Sequence, residues 1–183
     1  IEIFLTKEGS LENFIAKGSA EDLKIEVLDN LGFKETSLNF FADKNDILIK
    51  NIFGQLDEIS ILDGDLKLNL ENGIRLSSNF NSKFDLNKNF FKKFLSDHEH
   101  LKIIENLKAN LNNNLFINFD STYKIEDYNY SVSKNKEKGE LNLLNPIKNN
   151  FINEEIKRIY LSNFKINTNF KNKKINLSGE GKY

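Results

Sequence analysis

Gly73 to Leu86 reads G-I-R-L-S-S-N-F-N-S-K-F-D-L, and its two-residue period decides how the rest of the chain is understood. Ile74, Leu76, Ser78, Phe80, Ser82, Phe84 and Leu86 fall on one side of an extended strand, and Arg75, Ser77, Asn79, Asn81, Lys83 and Asp85 on the other. One side is largely apolar and the other is polar. At about 3.3 Å per residue the run reaches roughly 40 Å, well beyond a usual strand of about five or six residues. Such length suits a wide sheet with one apolar side better than a compact barrel.

Working outward, Leu66, Leu68 and Leu70 alternate with Lys67, Asn69 and Glu71 and lead to Asn72-Gly73, the strongest short hairpin signal in the chain. Further upstream, residues 1–6 read as a short strand, and residues 11–17 suit a strand and a single helical turn equally. Leu23, Ile25 and Val27 begin a strand, and residues 35–42 continue the pattern. Ile47, Ile49 and Phe53 then share one face, with Leu48, Lys50 and Ile52 on the other and Gly54 ending or bulging the strand. Ile59 and Ile61 run into Asp63-Gly64-Asp65, which has turn chemistry.

Downstream the period changes to about three and a half. Phe90, Phe91, Phe94 and Leu95 form one helical face, Ser96 with Glu99 spells a capping box, and Leu101, Ile104, Leu107, Lys108 and Leu111 continue a stripe. This predicts a helical insert over residues 88–112. From Leu115 the two-residue period returns through Leu115, Ile117, Phe119, Tyr123 and Ile125, then Tyr128, Tyr130 and Val132. Residues 140–144 make a short strand that Pro146 is expected to stop. Residues 156–170 and 174–181 form a last hairpin across Lys171-Asn172-Lys173. The expected fold is mainly β: a long antiparallel meander curled into an open groove, with a short helical insert, residues 1–183 being one β-rich segment.

Composition narrows the function. The 183 residues carry 26 Lys and Arg against 27 Asp and Glu, which lacks the basic footprint of a nucleic-acid binder. Only Arg75 and Arg158 are arginines, and Asn makes up roughly one residue in six. Cysteine is absent, which excludes disulfides, thiolate metal sites and a cysteine nucleophile. No apolar run reaches the roughly eighteen residues needed to span a bilayer. The chain starts at Ile1 without Met and stops inside strand-like sequence at Tyr183, so a piece of a longer polypeptide is expected.

Chemical motifs are sparse. His98 and His100 flank Glu99, but helical positions two apart diverge, whereas metal ligands on a helix are spaced three or four apart. Asp57, Glu58, Asp63 and Asp65 surround Gly64 without the bidentate Glu of a calcium loop, and read as turn formers. No paired-acid pocket, phosphate loop or serine with a histidine base can be assembled, so neither a catalytic residue nor a cofactor nor a metal is expected.

Several phrases together carry a resemblance: Asp22-Leu-Lys-Ile-Glu-Val27, Ile52-Phe-Gly54, Ile61-Leu-Asp-Gly64, the Ile74 to Leu86 strand, Asn118-Phe-Asp120 and the final Gly-Glu-Gly-Lys-Tyr. Their order resembles the periplasmic repeats of the AsmA-like family, the TamB and YhdP type, and covers most of the chain as a pattern. The resemblance implies a periplasmic protein, anchored to the inner membrane through a region outside this segment. It further implies a hydrophobic β-groove for intermembrane phospholipid transport or outer-membrane biogenesis, with phospholipid acyl chains and outer-membrane assembly proteins as partners. The family offers no catalytic residues to carry over.

The expected groove-facing residues are Ile74, Leu76, Phe80, Phe84, Leu115, Ile117 and Phe119. Passive transfer needs only an apolar lining and an open path. The rival reading is a structural or interaction β-sandwich whose stripes form its own core, with two sheets about 10 Å apart. An enzyme of hydrolase type ranks last, for want of an acid, base or nucleophile constellation.

Overall fold

A computed structural model describes residues 1–28, 31–71, 73–90, 104–134, 139–149 and 154–182. They form one mainly antiparallel sheet of 11 strands. The strands are β1 (Glu2–Leu5), β2 (Leu11–Leu28), β3 (Leu31–Ala42), β4 (Asp46–Leu56), β5 (Ile59–Asn69) and β6 (Ile74–Asn87). They continue as β7 (Ile104–Phe119), β8 (Ile125–Lys134), β9 (Gly139–Asn149), β10 (Glu154–Lys171) and β11 (Lys174–Lys182).

Neighbours in sequence are neighbours in space from β1 to β8, and β10 and β11 complete the row. The one departure lies between β7 and β10. There β8 pairs with Leu111 to Phe119 of β7, and β9 pairs with the preceding stretch, Ile104 to Lys108. β10 likewise pairs its Lys165 to Phe170 stretch with β8 and its Glu154 to Leu161 stretch with β9. Thus β8 and β9 lie end to end as two halves of a single row. This is the meander that the periodicity predicts, and every described strand belongs to one sheet, not to the two facing sheets of a sandwich.

Among the described residues of the predicted insert, only 88–90 are helical. Ile104 to Asn112, expected to extend it, is strand: Leu107 pairs with Leu86 and Leu111 with Ser82. Leu107, Ala109 and Leu111 are two apart and share a strand face, whereas the predicted stripe used three- and four-residue spacings from Leu101. The β6 edge supplies a full ladder of hydrogen-bond partners, which a short isolated helix lacks. Phe94, Ser96, His98, Glu99, His100 and Leu101 lie outside the described residues.

Two turn readings also change. Asp63-Gly64-Asp65 is strand, inside β5. A Cβ on Gly64 would stand 2.9 Å from Phe80 Cβ, so glycine here admits close cross-strand packing. Pro146 does not stop its strand but lies within β9, between Asn142, opposite Arg158, and Ile147, opposite Ile156. The register shifts between Ile156 and Arg158, and a residue without an N–H is tolerated at such an irregularity. The closing hairpin forms as expected, with Lys171 opposite Lys174 and positive φ at both Asn172 (53°) and Lys173 (61°), as a type I′ turn requires.

A line of bulges crosses the sheet. Inward residues that should recur every second position instead jump by three at Ala20 to Leu23 in β2, Phe33 to Thr36 in β3, Ile49 to Ile52 in β4 and Ile61 to Gly64 in β5. Asp22, Glu35 and Asn51 take the left-handed backbone there, with φ of 54°, 50° and 52°. The interruptions adjoin: Leu23 pairs with Thr36, a Cβ on Gly54 would meet Thr36 Oγ1 at 2.6 Å, and Gly54 pairs with Ile61. Each extra residue bends its strand, so four in register crease the sheet. At Asn51 the bulge exchanges the two faces beyond it. Ile52 turns inward, only 3.6 Å from a Cβ built on Gly64, and Phe53, predicted to share the face of Ile47 and Ile49, is 45% exposed.

The accessible surface is 13404 Å², against roughly 9,100 Å² for a compact protein of this mass. Among the described residues, only Ile61, Leu86, Ala109, Leu111, Val132 and Leu143 are buried apolar side chains. The apolar face of the sheet is therefore largely half-buried. No helix among the described residues is long and apolar enough to cross a membrane.

Candidate functional site

The alternation in β6 is preserved residue by residue: from Ile74 to Asn87 every second side chain is exposed and those between are buried or half-buried. Its inward residues meet those of β7 in direct pairs, Ile74 with Phe119, Leu76 with Ile117, Ser78 with Leu115, Phe80 with Asn113 and Phe84 with Ala109. The seven residues predicted to face a groove thus lie together on one face of two adjacent strands, all half-buried.

That face curls into a hollow of about 520 Å³ that opens to solvent. Phe84 from β6, Leu107, Ala109 and Leu111 from β7, and Tyr130 and Val132 from β8 line one part of it. Leu161, Phe164 and Ile166 from β10 and Gly179, Glu180 and Gly181 from β11 line the rest. Four inter-strand spacings separate β6 from β11, about 19 Å along a flat sheet. Residues of both strands border one small hollow because the sheet rolls inward. Ala109, Leu111 and Val132 form its packed floor, with Phe84, Tyr130 and Phe164 against them.

Of the seven predicted residues only Phe84 borders the hollow. The others continue the same face toward the Asn72-Gly73 end of β6, where Tyr128 and Phe170 stack at 5.7 Å between ring centroids. Leu107, Ala109 and Leu111 were missed because their stretch was assigned to a helix. The two-residue spacing of the three was the available signal. Leu161, Phe164 and Ile166 carry an alternation broken at Asn163, whose φ is 46°, and only the β8 and β10 pairing brings them beside Val132.

A polar seam crosses the apolar floor. Asn113 is 2% exposed and Ser82 fully buried. Asn113 Nδ2 donates to Ser82 Oγ at 2.8 Å, with Phe80 O at 3.2 Å and Leu111 O at 3.3 Å, and Asn113 Oδ1 accepts from the Tyr130 hydroxyl at 2.7 Å. Ser78 Oγ donates to Asp65 O at 2.9 Å, one step along the same face. Amides and hydroxyls can occupy this floor because they are partnered.

Burial pushes the Tyr130 phenol above its ordinary value of 10.0. The native state therefore holds that proton more tightly than the unfolded chain does. Stability associated with it is intact below about pH 10 and declines as pH rises through the folded-state value. Tyr130→Phe should flatten part of that alkaline decline, measured as urea midpoints at about pH 9 and about pH 11. An equal decline in both proteins would refute the assignment.

The opposite face is wet. Lys108 and Asp85 pair at 3.2 Å, Lys67 and Asp46 at 3.1 Å, and Arg158 and Glu140 at 3.2 Å. Lys67 and Asn69 hold the Asp46 carboxyl below its usual range: the Asn69 amide bond contributes most, then the bond and charge of Lys67. Asp57 and Glu58 lie in the β4 to β5 turn, while Asp63 and Asp65 lie in β5. Asp65 Oδ1 accepts from Asn51 N at 3.3 Å and helps hold the bulge. Among the described residues no group of three or more His, Cys, Asp or Glu is placed to hold a metal ion. Compared with protein-family models, with curated proteins and with solved structures, the chain matches none of them.

Proposed function

We propose that this chain is a non-enzymatic, lipid-handling β-groove that shelters acyl chains on the inner face of its sheet. The observation that carries the reading is the 520 Å³ hollow, bordered by five strands and lined chiefly by aliphatic and phenyl groups that leave its interior unfilled. Apolar surface kept at the rim of a water-filled space is unfavourable unless something apolar covers it, and an acyl chain gains by leaving water for such a lining. Nothing beyond burial is asked of the side chains. The resemblance noted above extends the proposal to intermembrane phospholipid transport or outer-membrane biogenesis, in the periplasm, from an inner-membrane anchor outside this segment.

Purified protein offered phospholipid and then examined by native mass spectrometry should carry bound lipid. A protein that stays lipid-free when the lipid is in excess would remove the proposal.

A further inference from the structure

On the polar face of the sheet, opposite the apolar hollow, we propose a binding site for a neutral oligosaccharide in which Phe116 is the stacking platform. This site stands apart from the lipid-handling reading, and either can fail without the other.

The residues come together by register. Asn79 in β6 pairs with Asn114 in β7, Asn114 with Ser131 in β8, and Ser131 with Asn167 in β10. Two residues along β7, Phe116 lies between Ser77 and Asn129. Each is one position off the inward side chains of its strand, so all of them face away from the acyl-chain hollow. They border a second hollow, open to solvent, with Lys165 at one side. Three inter-strand spacings, about 14 Å on a flat sheet, separate β6 from β10, enough for a short oligosaccharide.

Uncommitted hydrogen-bonding capacity points to the ligand. Elsewhere on this face amides are tied across strands, Asn118 to Asp127 at 2.9 Å, Asn142 to Asn106 at 2.8 Å and Asn176 to Asn169 at 3.0 Å. The side chains of Asn79, Asn114, Asn129, Asn167, Ser77 and Ser131 make no such bond with any described residue. Amides and hydroxyls both donate and accept, as sugar hydroxyls do, so a sugar can replace their water bond for bond.

Phe116 supplies the apolar half. It is 40% exposed, and its neighbours on this face, Ser77 and Asn129 across strands and Asn114 and Asn118 along β7, are polar. The C–H face of a pyranose ring covers such a phenyl group while its hydroxyls reach the amides around it. Charge narrows the class of sugar. Lys165 is the one charged residue bordering the hollow among the described residues, and Glu180 opposes it on β11, so the hollow as a whole favours neither anion nor cation.

The test is calorimetric titration of the whole protein with short neutral oligomers of glucose, galactose, mannose and N-acetylglucosamine, with acidic oligogalacturonate as the charged control. At least one neutral oligomer should bind in the millimolar range or tighter. Phe116→Ala should weaken that binding about tenfold and Asn114→Ala should also weaken it, while Phe116→Tyr retains it, with urea midpoints as the control for folding. Excess phospholipid should leave the sugar's affinity unchanged, since the two hollows open on opposite faces. Absence of binding by every neutral oligomer, tighter binding of oligogalacturonate, equal affinity in Phe116→Ala or displacement by phospholipid would each overturn this site without removing the acyl-chain hollow.

Discussion

Asn113→Ala is expected to lower the stability of the protein by about 3 kcal/mol, the largest effect foreseen for a single polar side chain here. Asn113 is 2% exposed. Its amide nitrogen serves Ser82 Oγ at 2.8 Å and lies near two backbone carbonyls, while its oxygen accepts from Tyr130 at 2.7 Å. Truncation takes away these partners together and leaves the hydroxyls of Ser82 and Tyr130 with fewer bonds where water is scarce. Each such loss costs about 1 to 3 kcal/mol. In urea the midpoint should fall with the slope unchanged. Tyr130→Phe, which removes one bond, should cost about 1 kcal/mol, and the double variant should lose less than the sum because the two residues share that bond. An Asn113→Ala protein within about 0.5 kcal/mol of the parent would show that the seam is wet.

Gly179→Phe should weaken acyl-chain binding at least tenfold, about 1.4 kcal/mol, while leaving the fold in place. Gly179 is on β11 opposite Ile166 and borders the hollow. A Cβ there would meet only Ile166 Cγ1 and Lys165 O, each at 3.6 Å, which is ordinary contact. β11 is an edge strand that pairs with β10 alone, so a phenyl group can extend over the hollow without displacing a packed neighbour. Stability should change by less than about 0.5 kcal/mol. Binding of phospholipid to parent and variant, with urea unfolding of both as the control, decides the matter. Unchanged affinity in a folded variant would place the acyl chain elsewhere.

The residues differ in how openly they announce their positions. Ile74 to Leu86 alternates without interruption, because β6 pairs along its whole length with β7 and carries no bulge there. Its face and its partners could be read directly. Ile52 and Phe53 could not be assigned by alternation, since one left-handed residue, Asn51, reverses the faces after it. A bulge declares itself only as a three-residue gap between inward positions, and a single gap is indistinguishable from noise. Four gaps in neighbouring strands are informative once the strands are aligned. Leu107 and Leu111 were ambiguous for another reason: residues four apart share both a helix face and a strand face. The ladder to β6 chose between them.

Local patterning by itself determined that this protein is an antiparallel meander with one apolar face, and set the seven predicted residues on one side of β6 and β7, where only Phe84 reaches the hollow. The cause is the strict period of an extended chain, which writes facing into every second residue. Only the tertiary structure decided where that face is hollow. The end-to-end placement of β8 and β9 and the inward roll from β6 to β11 bring Phe84, Val132 and Phe164 together, although they are far apart in sequence. Curvature is a property of strands acting together, and no one strand encodes it.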